Sequence, residues 1–204
     1  MKQQKLIFII LFLLTIAGYA QDVPSQYKKQ LLQERKVKDK EFLNPEESPL
    51  TSDGMASFVG LSYFKPDKKY VIYAKLVRKT SPDTIKMKTT TERLPLYIVY
   101  GDATFNINGK QHQLTIYRNV GLMTKEGYED YLFVPFTDQT SGNESYGGGR
   151  YIDARIPAND TIVLDFNKAY NPYCCYSKKY SCPIPPSQNY IDAKIKAGEK
   201  NFKH

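Results

Sequence analysis

ATFNINGKQHQLTIY, residues 103–117, holds two alternating runs, Ala103 to Ile107 and Gln111 to Tyr117, joined by Asn108-Gly109. Strand side chains alternate between two faces, so each run reads as a strand. Asn-Gly is favoured in two-residue type I′ turns because both central residues need positive φ. The stretch therefore predicts a β-hairpin, and the chain around it repeats the pattern.

Upstream, Tyr70, Ile72, Ala74 and Leu76 alternate with Val71, Tyr73, Lys75 and Val77, with apolar groups on both sides. Such a strand suits cover on both faces. Ser81-Pro82-Asp83 supplies turn chemistry. Further strands are expected at Leu96 to Tyr100, Tyr131 to Phe136, Arg150 to Ile156, Thr161 to Asn167 and Tyr190 to Lys196. Many short strands rich in Tyr, Ile, Val and Thr, with regular turn signals, predict a mainly β fold. The expected architecture is an antiparallel β-sandwich or small barrel with one N-terminal α-helix. That helix runs through residues 26–43 behind a Ser25 cap, and Asn44-Pro45 and Ser48-Pro49 interrupt it.

The N-terminus has the form of an export signal. Lys2 and Lys5 precede an apolar run from Leu6 to Ala17, and Gly18-Tyr19-Ala20 offers a small-residue cleavage site. The run is shorter than the roughly 18 apolar residues a membrane span needs. Expected are cleavage between Ala20 and Gln21, a periplasmic or secreted product, and no stable membrane insertion afterwards. The domain plan is a signal peptide at 1–20, helix and linker at 21–57, and a single β-rich domain at 58–204. The remaining chain, roughly 180 residues, is enough for one core.

The formal charge of +8 falls to +6 once Lys2 and Lys5 are left out. The basic residues are dispersed, and no nucleic-acid-binding pattern accompanies them, so a nucleic-acid partner is not expected. A zinc site wants four ligands, whereas this chain has two histidines, His112 and the terminal His204, and no cofactor or metal is expected. His112, beside the hairpin turn, reads as an exposed strand residue. Cys174 and Cys175 are adjacent, so an ordinary bridge joins one of them to Cys182; there is no C-x-x-C of the thioredoxin kind.

Gly147-Gly148-Gly149 precedes Arg150, so backbone N–H groups and a guanidinium stand ready for an anion, or the glycines serve a strand-entry bulge. No Gly-Lys-Ser/Thr follows, which excludes a P-loop. Asp138, Asp153 and Asp165 supply carboxylates and Ser141 and Ser145 hydroxyls, but no histidine stands near in sequence to activate a serine. Tyr146, Tyr151, Tyr170, Tyr173 and Tyr176 surround the glycine and cysteine segments, where rings can stack on a flat ligand or pack the sheet.

The C-terminal third resembles the bacterial family catalogued as domain of unknown function 1684. The resemblance rests on Pro135-Phe136-Thr137-Asp138, Thr140-Ser141-Gly142, Tyr146-Gly147-Gly148-Gly149-Arg150-Tyr151, Asp165-Phe166-Asn167, Tyr170-Asn171-Pro172, Cys174, Cys182-Pro183-Ile184-Pro185-Pro186 with Asn189, and Ala197-Gly198-Glu199. It implies a family extending back to Phe58, and a Cys174 to Cys182 disulfide with Cys175 as the odd thiol; it implies no reaction.

The functional expectation is an exported, non-catalytic β-domain binding a small ligand, a glycan or an envelope protein. Its surface is expected at Tyr146, Gly147, Gly148, Gly149, Arg150 and Tyr151, together with Asp165, Asn167, Tyr170 and Asn171. A carboxylate-dependent hydrolase using Asp138, Asp153 or Asp165, with Arg150 orienting an anionic substrate, is the alternative. A third reading makes the same polar residues purely structural ties.

Overall fold

Asn108 and Gly109 form the expected turn at φ 52° and 78°, and Ile107 stands opposite Lys110. The computed structural model containing this hairpin describes residues 22–202. The expected leader at 1–20 and the cleavage point between Ala20 and Gln21 lie outside the described residues. Among those described, no helix is long and apolar enough to cross a membrane.

Helix α1 spans Asp22–Phe42. It starts ahead of the expected Ser25 cap because a first-turn residue such as Pro24 has no intrahelical acceptor to lose. The chain divides into two compact units between Lys38 and Asp39. Asp39 counts with the β-rich unit, accepting the Leu61 N–H at 2.9 Å. A short helix, α2 (Ser52–Ala56), has Thr51 as its cap.

Eight strands follow: β1 Val71–Arg78, β2 Thr84–Lys86, β3 Leu96–Ile107, β4 Lys110–Asn119, β5 Tyr131–Asp138, β6 Arg150–Arg155, β7 Thr161–Asp165 and β8 Tyr190–Ile191. They make one sheet in the order β6-β5-β4-β3-β1-β7, with β2 added to β3 and β8 added to β5. Pairing is antiparallel except that β8 runs parallel to β5. The fold is thus mainly β, a nearly closed, barrel-like sheet with one long helix near the N-terminus. Leu76, Phe105, Ile116, Val134, Ile152 and Leu164 meet in the interior. Tyr97, Tyr117, Phe133 and Tyr151 form a second cluster with Met87, so β5 is covered on both faces.

Several elements differ from expectation for physical reasons. The strands expected at 96–100 and 103–107 are one, because a bulge between Val99 and Gly101 bends β3 without ending it. An alanine Cβ at Gly101 would stand 2.6 Å from the Val77 carbonyl oxygen, so a side chain there would push β1 away. On β1, Tyr73 and Val77 are exposed rather than covered among the described residues. His112 is buried, not exposed, with its ring 6.0 Å from that of Phe105 across the hairpin. The strand expected from Tyr190 to Lys196 stops at Ile191; beyond it the Ala193 carbonyl accepts the Gln139 N–H, the Ile195 N–H donates to Asp138 and the Ile195 carbonyl accepts from Arg150.

Candidate functional site

Arg150 opens β6 beside the end of β5, and its side chain turns inward. The guanidinium is wholly buried and sits over the Phe136 ring, 5.2 Å from the centroid. Its Nη2 donates to Asp138 Oδ1 at 3.0 Å, to the Ile195 carbonyl at 2.9 Å and to Thr140 Oγ1 at 3.3 Å. Its Nη1 donates to the carbonyls of Ala197 and, at 3.2 Å, Glu199. The arginine was expected to meet an external anion, whereas the carboxylate it binds here belongs to this chain. Burial pulls the guanidinium's pKa down while Asp138 opposes that shift.

Asp138 is as fully engaged as its partner. Its carboxylate accepts the N–H groups of Ile195 at 2.7 Å and Thr140 at 3.1 Å, and the Thr140 hydroxyl at 2.9 Å. A carboxylate with these partners has no lone pair directed at solvent, which argues against its use on a substrate. Asp165 caps the turn Phe166–Lys168 by accepting the Asn167 N–H at 3.0 Å. Asp153 accepts from the hydroxyls of Tyr170 at 2.6 Å and Tyr131 at 2.8 Å. Burial first, and then Asp153, push both phenols above their ordinary range.

The remaining residues of the expected ligand surface divide the same way. Asn167 is buried and exchanges two 2.9 Å hydrogen bonds with the Asp67 backbone, as a peptide group would. Asn171 is buried too; its N–H donates to Glu199 Oε2 at 2.7 Å, which also accepts the Tyr176 hydroxyl at 2.7 Å. Tyr151 is buried, with its hydroxyl donating to the Pro183 carbonyl. Gly149 is buried at φ 86°, packed against Phe136, Thr137 and Pro185. Tyr146 and Tyr170 are half-buried, and only Gly147 and Gly148 of the set are fully exposed.

Next to that loop lie the cysteines. All three are free thiols in this structure, so the disulfide implied between Cys174 and Cys182 is not formed. The two residues are nonetheless neighbours: the Cys174 N–H donates to Cys182 Sγ at 3.1 Å. The Tyr146 hydroxyl stands 3.8 Å from Cys174 Sγ. Cys175 points elsewhere, into an aromatic cluster of Phe42, Leu50 and Tyr176.

Leu50 and Tyr176 of that cluster also line a cavity of about 390 Å³, together with Phe58 and Phe202 and with the polar Thr51, Asp53, Ser57 and Ser62. Phe202 meets Tyr176 edge-on at 5.0 Å and lies 6.5 Å from Phe58. Sequence reasoning named only Tyr176 of this lining, because residues 50–62 and Phe202 carry no motif and meet Tyr176 only in the fold. Among the described residues no group of three or more His, Cys, Asp or Glu could hold a metal ion.

Comparison with known proteins places the chain without assigning it a reaction. A family described as "Protein of unknown function (DUF1684)" matches residues 56–200. Among solved structures, the chain is similar to the solution NMR structure of an uncharacterised protein of Haloarcula marismortui. The two share 34% identity with a TM-score of 0.67, and the match covers 88% of this chain and 96% of that one. That relative is archaeal, so the bacterial label attached to the resemblance is not borne out. No curated protein matches.

Proposed function

The chain belongs to the DUF1684 family of proteins of unknown function, and from its own geometry we propose an exported, non-catalytic β-domain that binds a small ligand such as a short glycan. The cavity walled by Phe58, Tyr176 and Phe202 carries this reading. Its volume falls in the range of about 300–1,000 Å³ usual for ligand sites, and it combines aromatic walls with a hydroxyl and carboxylate rim. Aromatic faces stack on the apolar face of a sugar ring while rim groups bond its hydroxyls. Val59, fully exposed at the mouth, adds an apolar contact for an incoming ring. The apolar run from Leu6 to Ala17 supports export. Engagement of Asp138, Asp153 and Asp165 in internal hydrogen bonds supports binding without catalysis.

The experiment is a titration of the isotope-labelled protein with neutral and amino sugars, alongside native mass spectrometry of material from its own cells. Amide shifts confined to residues 50–62, 176 and 202, and at least tenfold weaker binding in Phe58→Ala, are expected. Shifts centred instead on Gly147 and Gly148, or a co-purified ligand retained equally by Phe58→Ala, would place the site elsewhere.

A further inference from the structure

Three thiols lie between residues 174 and 182, and the fold treats each differently. Cys175 is buried against Phe42 and Tyr176, and that burial outweighs the Phe202 backbone hydrogen bond that would favour its thiolate. Cys174, on the same short turn, is only partly buried and faces both Cys182 and the Tyr146 hydroxyl. Cys182 is buried behind it and clamped to the Thr89–Pro183 bridge. Its N–H donates to Thr90 Oγ1 at 3.1 Å and its carbonyl accepts the Thr90 N–H at 2.9 Å. The arrangement therefore sets a less buried cysteine against a more buried one that touches its backbone, with a hydroxyl 3.8 Å from the first sulfur.

We infer that Cys174 and Cys182 form a thiol–disulfide exchange site, in which Cys174 attacks a small external disulfide and Cys182 resolves the product. In the first step the Cys174 thiolate forms a bond to one sulfur of R–S–S–R, the external S–S bond breaks, and RS⁻ leaves to be protonated. In the second, the Cys182 sulfur attacks Cys174 Sγ, releases the remaining R group as a second thiolate, and passes its proton to that leaving group. Two protein thiols are oxidised to one disulfide, and the external disulfide is reduced to two thiols. The attacking and resolving roles follow from access: a bulky disulfide reaches Cys174 first. The hydrogen bond from Cys182, then that from Tyr146, pull the Cys174 thiol down to about 6 despite its partial burial, whereas burial pushes Cys175 up to about 12. Nucleophilic character thus coincides with the least buried of the three positions.

Oxidised glutathione is the probe, added to the reduced full-length protein with the products read by intact mass and peptide mapping. The wild type is expected to lose two hydrogens and yield a peptide linking Cys174 to Cys182, with no lasting adduct. Cys182→Ser is expected to hold glutathione on Cys174, while Cys174→Ser reacts at least tenfold more slowly than wild type. Cys175→Ser is expected to behave as wild type. Because a serine could disturb the packing, brief alkylation of the wild type gives a second reading: Cys174 labels at least tenfold faster than Cys175. A linked peptide containing Cys175, a stable adduct on the wild type, or equal labelling of the three thiols overturns the inference.

Discussion

Arg150 Nη2 donates to Asp138 Oδ1 at 3.0 Å, with neither side chain reaching solvent. The pair joins the start of β6 to the end of β5, and through the carbonyls of Ile195, Ala197 and Glu199 it also gathers the C-terminal segment. Removing one member leaves a buried, uncompensated charge, at a cost of about 3–5 kcal/mol. For a domain of this size each kcal/mol moves Tm by roughly 2–4 °C, so Arg150→Met and Asp138→Asn are each expected to lower it by on the order of 10 °C. Arg150→Lys is expected to recover little, because one ammonium cannot reproduce the planar fork of donors. Thermal melts within about 2 °C of wild type would show the pair to be dispensable.

Asn189 takes the place of a strand between β4 and β5. Those two strands share only the pair Tyr117 and Phe133. The buried Asn189 side chain accepts the Thr115 N–H at 2.9 Å and donates to the carbonyls of Thr115 at 2.9 Å and Pro135 at 2.7 Å. Asn189→Ala strands these groups and is expected to cost at least about 2 kcal/mol. Amide exchange at Thr115 should quicken by a factor larger than at Phe105, which keeps its hairpin partner. Unchanged protection at Thr115 would contradict the assignment.

Neighbouring glycines in the triplet are expected to respond oppositely to alanine. Gly149, at φ 86°, would place a Cβ 2.6 Å from the Phe136 carbonyl oxygen. Gly147 lacks a positive φ and would meet Gly142 Cα at 3.4 Å, a contact that asks little of its neighbours. Gly149→Ala should therefore cost more than about 2 kcal/mol by urea unfolding, and Gly147→Ala within about 0.5 kcal/mol. Equal losses at both would mean that backbone strain is not what selects glycine at 149.

The alkylation rate of Cys174 should rise with pH through the folded pKa, because the thiolate is the reacting form. With that pKa lowered to about 6, the rate is half-maximal near pH 6 and close to its plateau by pH 7. An unperturbed thiol would instead have its midpoint near about 8.5. Tyr146→Phe removes a hydrogen bond that favours the thiolate, so its midpoint is expected to move upward. A midpoint near 8.5 in the wild type, or a downward move in Tyr146→Phe, would refute this account.

Much of the sheet was legible locally. The Asn108-Gly109 turn and the alternation on either side set β3, β4 and their register, because turn preference and side-chain period act between near neighbours. The bulge at Gly101 was not legible, since the need for glycine there comes from the Val77 carbonyl on another strand. The ordered string from Pro135 to Asn189 identified the family, yet the work of its polar residues stayed hidden. Arg150, Asn167 and Asn189 carry groups suited equally to a ligand or to a backbone.

By itself, the sequence determined a β-rich chain, its central hairpin and its family, all of which follow from periodicity, turn chemistry and an ordered motif. Only the tertiary structure decided that Arg150 turns inward to Asp138, and that Cys175 packs against Phe42 and Tyr176. The physical reason is that burial and partner choice depend on residues tens of positions apart. Ile195 lies 45 residues from Arg150, and no local pattern records that its carbonyl will meet that guanidinium.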